Sequence, residues 1–229
     1  MEMLLWVICL AATICFAFLD GWYLLRFLII VFYNSWVRPR TGDLLEEFRF
    51  HSWVLPTDLD FMGHMNNARY PREADFARYA YMSHYHLVQT LWALKGSTVL
   101  TASCCRYRRS LHLWERFTIH TRMVGWDEHA FYLEQQFISA QDGFLCAVLL
   151  ARHHVTGPSP SEVIQRLYGR KVESPEVPED VHYWLKSNQA SSQRLRVESD
   201  LQKNGKTKSC SECEDIRLVG GRHVRICAS

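Results

Sequence analysis

Between Thr57 and Tyr70 the chain reads TDLDFMGHMNNARY, which brings two aspartates, a glycine, a histidine and two adjacent asparagines close together. Packing seldom needs such a cluster. Carboxylates and an imidazole take up, hold or pass on a proton, and a carboxylate can also attack an electrophilic carbon. A glycine among them allows close backbone approach, and asparagines suit the start of a helix. Further along, CRYRRS groups Arg106, Arg108 and Arg109 at a strand end, with Arg116 and Arg122 near in sequence. A solvated strand end is the plainer reading of that pattern, and guanidinium groups so placed also suit phosphate oxygens. Cys210-x-x-Cys213, followed by His223 and Cys227, has a zinc-like spacing. Its flanks lack a hydrophobic mini-core, so no metal site is expected there.

The elements that must position the cluster are read from periodicity. Glu47–Leu55 alternates and is rich in aromatics, as a strand does. From Asn67 to about Lys95 the period changes: Tyr70, Ala74, Ala77, Tyr81, Tyr85, Val88 and Leu91 recur at helical steps, which predicts one long helix closed by Gly96. Asn66 or Asn67 would cap it, since Pro71 is comfortable only in the first turn. Four strand-like runs follow, Thr98–Tyr107, Phe117–Val124, Phe131–Ala140 and Phe144–Val155, with turns at Gly125–His129 and Gln141–Gly143. An antiparallel meander after a single helix buries that helix only by curling around it, so an α+β fold is expected. Pro158–Gly169 reads as a short helix capped by Ser159 or Ser161. Beyond Ser174 the composition turns polar, with one amphipathic piece near Val181–Leu195, and the last thirty-odd residues are expected to be a flexible tail.

The chain has 229 residues, 48% of them hydrophobic, and a net charge of +2. That allows one sizeable core with appendages and argues against nucleic acid as a partner. The N-terminus stands apart. Met3–Leu19 is an unbroken apolar run, and WYLLRFLIIVFY follows with only Arg26 inside it; a membrane span needs roughly 17–25 apolar residues. An uncleaved anchor is the favoured reading, and a signal peptide cut near Cys15-Phe16-Ala17 is the alternative. Arg26, Arg38 and Arg40 follow the span and no Lys or Arg precedes it, which predicts a cytosolic domain on an anchor, the endoplasmic reticulum being the expected membrane. Trp22, Tyr23 and Arg26 would then lie at headgroup depth, unless this second run is a buried helix of the domain. The 8 cysteines form no regular framework and look like reduced thiols. Cys104 and Cys105 should point to opposite faces of a strand. Three segments result: 1–40 hydrophobic, 44–170 folded, and 171–229 a largely flexible extension.

Strand, D-x-D-x-x-G-H-x-N-N-x-x-Y loop, long helix and antiparallel meander together resemble the hot-dog fold of the acyl-CoA thioesterases. That resemblance covers roughly Leu44 to Gly157, and within it DLDFMGHMNNARY is similar to the corresponding loop of plant acyl-carrier-protein thioesterases and of 4-hydroxybenzoyl-CoA type enzymes. The resemblance implies an antiparallel sheet wrapped around a long central helix. It also implies hydrolysis of a fatty acyl thioester, carried by coenzyme A or a carrier protein, without a cofactor. The aspartate three residues before the glycine is the acting carboxylate in such enzymes, which points to Asp60 as base or nucleophile. His64 would orient it or assist proton transfer. Amide groups at the start of the helix, around Gly63 to Ala68, would meet the carbonyl oxygen where charge develops, so Gly63, Asn66 and Asn67 join the candidate site. Some relatives carry the carboxylate on the helix, and Glu73 is the candidate there, its alternative being an exposed charge paired with Arg69 or Arg72. Arg106, Arg108 and Arg109 would hold coenzyme A phosphates, and Phe76, Tyr81, Phe117 and Phe131 would line the acyl group or simply form core. A lone sheet leaves a long edge, so a homodimer is expected. One departure stands out: where the plant enzymes have asparagine two residues after the aspartate, this chain has Met62. A domain that binds acyl groups, or acts as a scaffold, without turnover is therefore the alternative function.

Overall fold

The computed structural model of the chain describes residues 2–18, 20–37 and 42–211, with side chains for all but 15–18 and 203–211. Five strands, β1 (Phe48–Trp53), β2 (Ser97–Tyr107), β3 (Arg116–Trp126), β4 (Ala130–Ser139) and β5 (Leu145–Thr156), form one antiparallel sheet in the order β1-β3-β4-β5-β2. Each lies within two residues of where alternation predicts it. Gly125 belongs to β3 rather than to the turn, because the strand continues past a register shift between Met123 and Gly125. The turn closes on Asp127, whose Oδ1 accepts from the amides of His129 at 2.7 Å and Ala130 at 2.8 Å.

The predicted long helix is two. α3 (Arg69–His84) ends where His86 takes a left-handed conformation at φ 55, and α4 (Leu87–Ala93) continues in a new direction. The break lets Tyr81 and Tyr85 pack on Phe48 while Leu87 and Leu91 stay fully buried. Periodicity cannot register such a turn, because the apolar spacing continues through it. α3 lies against the sheet, with Tyr70 against Phe137 at 5.2 Å and Phe137 stacked on Phe117 at 5.8 Å. This is the expected hot-dog arrangement of an α+β chain. Tyr81, Phe117 and Phe131 are closed core, and the Tyr81 hydroxyl donates to the Leu44 carbonyl at 2.6 Å. Phe76 faces a different neighbour, described below. The core also holds polar groups. Arg78 is buried, bonded to Asp75 and, at 2.7 Å, to Gln135 of β4. His153 of β5 is buried with neither ring nitrogen hydrogen-bonded.

The N-terminal runs are α1 (Glu2–Phe18) and α2 (Gly21–Phe32), and α2 passes into a π-type turn at Tyr33–Val37. Among the described residues no helix is long and apolar enough to cross a membrane; α1 has 17 residues. For Tyr23 and Arg26, α2 accords with the alternative reading of this run as a helix of the domain. One of its faces packs along α3, with the Tyr23 ring 5.0 Å from Phe76, Phe27 edge-on to Tyr79 at 4.7 Å, and the Arg26 guanidinium over Phe76 at 4.2 Å. Its other face leaves Trp22, Leu24, Leu28 and Phe32 exposed.

α5 (Pro160–Tyr168) has the predicted Ser159 cap, closed reciprocally by Glu162, and ends at left-handed Gly169. The polar C-terminal segment is helical as α6 (Glu179–Ser211), well beyond the amphipathic piece and into the stretch expected to be flexible. The run holds no proline and includes Leu, Lys, Gln, Arg and Glu among its serines, residues that a helix accommodates well; the tail beyond residue 211 lies outside the described residues. The Cys210, Cys213, His223 and Cys227 spacing lies outside the residues whose side chains are described.

Candidate active site

The loop from Pro56 to Ala68 joins β1 to α3 and is held at both ends by its own polar atoms. Pro56–Asp58 forms a single 3-10 turn, and the buried Asp58 carboxylate accepts from the Leu55 amide at 2.9 Å. Asp58 also lies 4.0 Å from the Arg69 guanidinium, so its role is to brace the turn. The chain then doubles back. Leu59 pairs with Met65, the Asp60 amide donates to the His64 carbonyl at 3.0 Å, and His64 pairs in turn with His112 ahead of β3. The reversal is possible because Gly63 takes φ +80, where an L side chain is strained.

Asp60 sits inside this small hairpin, its side chain 18% exposed. Oδ1 accepts from the Met62 amide at 2.9 Å, and Oδ2 lies 3.5 Å from His64 Nδ1. The two predicted residues are therefore together, with one carboxylate oxygen anchored and the other turned to the imidazole. Phe61 and Met62, at the tip, are 98% and 64% exposed.

The helix start differs from expectation. Ala68 is the capping residue and makes no side-chain cap; Asn66 Oδ1 accepts from the Ala68 amide at 2.8 Å, bracing the loop just before the helix. Asn67 is exposed, and its carbonyl accepts from the Tyr107 hydroxyl at 2.9 Å. The amides expected to face a substrate are largely in use: Gly63 donates to Asp60, Met65 to Leu111, Asn66 to Asp58, and Arg69 to Asn66, all to carbonyls. Tyr70 is core, its hydroxyl accepting from the Leu111 amide, and burial pushes its phenol up to about 12.

Glu73 corrects its expectation most clearly. It is 2% exposed and pairs with neither Arg69 nor Arg72. Arg26 of α2 grips it with both terminal nitrogens, at 2.5 and 2.8 Å, and the Ser52 hydroxyl of β1 donates to the same carboxylate at 2.7 Å. Arg72 bonds Asp20 instead. Arg26 and Ser52 are the residues that sequence reasoning missed; the signal available was that Arg26 is the one charge inside a long apolar run, which forecasts a buried partner.

The arginine group divides. Arg109 is engaged by Asp142 at 2.5 and 2.9 Å, which raises its own pKa and holds that carboxyl well below the usual range. Arg108 donates to the Leu145 carbonyl and lies over Phe144. Arg106 is exposed on β2, with no carboxylate partner among the described residues. A surface concavity of about 670 Å³ between α4 and α5, lined by Leu94, Pro158 and Arg166 among others, includes no residue of the Asp60 loop.

The sequence matches the thioesterase-like superfamily over residues 54–185, which spans the loop, both helices that follow it and the sheet from β2 onward. Protein THEM6 of Xenopus laevis is 49% identical over 191 residues, 83% of this chain and 92% of that protein. Protein THEM6 of Danio rerio is 46% identical over 206 residues, 90% of this chain and 100% of that protein. Among solved structures, the probable thioesterase YbaW of Escherichia coli superimposes with a TM-score of 0.48 at 21% identity, covering 52% of this chain and 97% of that one. With more than half of the chain matched, and with relatives this similar along nearly their whole length, the chain belongs to the thioesterase-like superfamily.

Proposed function

We propose that this chain is a membrane-anchored hydrolase of fatty acyl thioesters in which Asp60 acts as base or nucleophile and His64 orients it. The observation that carries this reading is the pairing of Asp60 with His64 in a loop open to solvent. One oxygen is fixed on an amide, and the other, 3.5 Å from the imidazole, is the one offered to a water or a thioester carbon. Glu73 serves less well as the acting carboxylate, because Arg26 and Ser52 already occupy both of its oxygens. Arg106, exposed and without a carboxylate partner among the described residues, is the best remaining candidate for a phosphate of coenzyme A. β2 favours a homodimer: it is an edge strand of 11 residues that exposes Val99, Leu100 and Tyr107. The anchor reading rests on α1, whose apolar side chains from Met3 to Ile14 are exposed, and on the arginines after it, which favour a cytosolic domain.

A specific observation also favours a second reading, an acyl-binding or scaffolding domain without turnover. Most amides near Asp60 are committed to the loop's own carbonyls, so few remain to stabilise an oxyanion, and Met62 brings no polar group. Thiol release from a panel of acyl-CoAs separates the two. Release that falls in Asp60→Asn supports the hydrolase, whereas saturable acyl-CoA binding with no release selects the binding domain.

A further inference from the structure

We propose that the end of the molecule carrying the Asp60 loop is itself a bilayer-docking surface, seated on anionic lipid headgroups. This deepens the anchored reading above and rests on α1 lying in the same membrane. Three observations converge on it.

The first is an apolar rim. Trp53 ends β1, Phe61 and Met62 cap the hairpin, and Leu113 and Trp114 lie in the segment before β3, all of them exposed. Backbone pairing joins them into one border: Trp114 donates to the Val54 carbonyl, Val54 to that of Glu115, and the hairpin pairs with the same segment through His64 and His112. Single exposed apolar residues are ordinary, but a joined group with two tryptophans and a phenylalanine marks a contact surface.

The second is the chemistry of the flank. The Arg116 guanidinium lies 4.3 Å over Trp53, and those of Arg108 and Arg109 lie 5.0 and 4.4 Å over Phe144. The turn bearing Phe144 adjoins Arg116 through the Ala140 amide, which donates to the Arg116 carbonyl. Asp142 neutralises Arg109, whereas Arg108 and Arg116 have no carboxylate partner among the described residues. Aromatic rings beside unpaired arginines match the headgroup layer, where rings sit at the boundary and guanidinium groups meet phosphate. A second protein surface would supply carboxylates or hydrogen-bond acceptors from its side chains; a bilayer supplies phosphates in a plane.

The third is where the apolar N-terminus leaves the domain. Asp20, just after α1, accepts from Arg72 in the first turn of α3 at 2.9 and 3.0 Å, and the Arg72 guanidinium lies over Tyr23. The Asp60 loop feeds the same turn. α1 thus departs from the end of α3 that bears the apolar rim.

The test uses the full chain reconstituted in phosphatidylcholine vesicles containing phosphatidylserine, with a photoreactive benzoylphenylalanine at one position. Phe61→benzoylphenylalanine is expected to cross-link to lipid, whereas the same change at Trp92, exposed on α4, is not. The Phe61 yield should fall about fivefold or more when phosphatidylserine is omitted, since each arginine near an anionic surface contributes about that factor. Cross-linking of position 61 into another protein chain, or a lipid yield no greater than at position 92, overturns the proposal. A chain that does not float with vesicles overturns it together with the anchor. Hydrolysis without lipid cross-linking removes the docking surface alone and leaves the thioesterase reading standing.

Discussion

Asp60 and Glu73 are two carboxylates bordering the same loop-to-helix junction, and their surroundings have made them opposites. Asp60 lies in a short hairpin, held by one amide and turned to one imidazole, with part of its side chain in water. Glu73 is taken out of water and given two arginine nitrogens and a hydroxyl in exchange. A carboxylate that can react needs an unfilled oxygen and a path for the substrate. A carboxylate with every oxygen filled from within the fold clamps the elements that fill it. Here the clamp joins α2 to α3 and β1, so the segment after the apolar N-terminus is built into the folded domain.

The largest expected effect comes from breaking the clamp. Arg26→Ala leaves a buried carboxylate without its cation, and such losses cost about 3–5 kcal/mol, which denaturant unfolding would register as a marked drop in midpoint. Arg26→Met combined with Glu73→Leu should recover much of that loss, because both charges leave together. An Arg26→Ala chain as stable as the native one would mean that Glu73 is not locked.

The next effect comes from the other unusual buried group. Burial, and secondarily the charge of Arg78, hold the His153 imidazole down to about 3. Between the ordinary value of about 6.5 and that lowered one, the unfolded chain binds a proton that the folded chain refuses. Stability is therefore fully present above the ordinary value and falls as the pH drops, by up to about 1.4 kcal/mol per pH unit from this group. His153→Leu should flatten that acid limb. It should also raise stability at neutral pH by about 1 kcal/mol, since two unpartnered ring nitrogens leave the core. The smallest effect belongs to Arg109→Ala. Its ion pair with Asp142 is at the surface, so the thermal midpoint should not move measurably.

The strands were legible almost to the residue because alternation of buried and exposed side chains is a local property that survives in sequence. Ser159 and Gly169 were legible for the same reason, since a cap is a contact between near neighbours. The break at His86 was not, because a left-handed residue changes direction without changing apolar spacing. Part of the candidate site was legible too: Asp60 and His64 lie side by side, being only four residues apart in the chain. The surroundings of Glu73 were not, since Arg26 and Ser52 reach it from far along the sequence. Long-range polar pairing leaves only an indirect trace, a charge where the pattern calls for an apolar residue.

Whether Asp60 or Glu73 is the acting carboxylate is decided by measuring thiol release from acyl-CoAs by the native chain, Asp60→Asn and Glu73→Gln side by side, each shown to be folded. Loss of a general base or nucleophile should lower release about 100-fold or more in Asp60→Asn. Glu73→Gln should stay within a few fold of native at a temperature where it remains folded. Equal rates for the native chain and Asp60→Asn, or a loss confined to Glu73→Gln, would rule out Asp60 as the acting carboxylate.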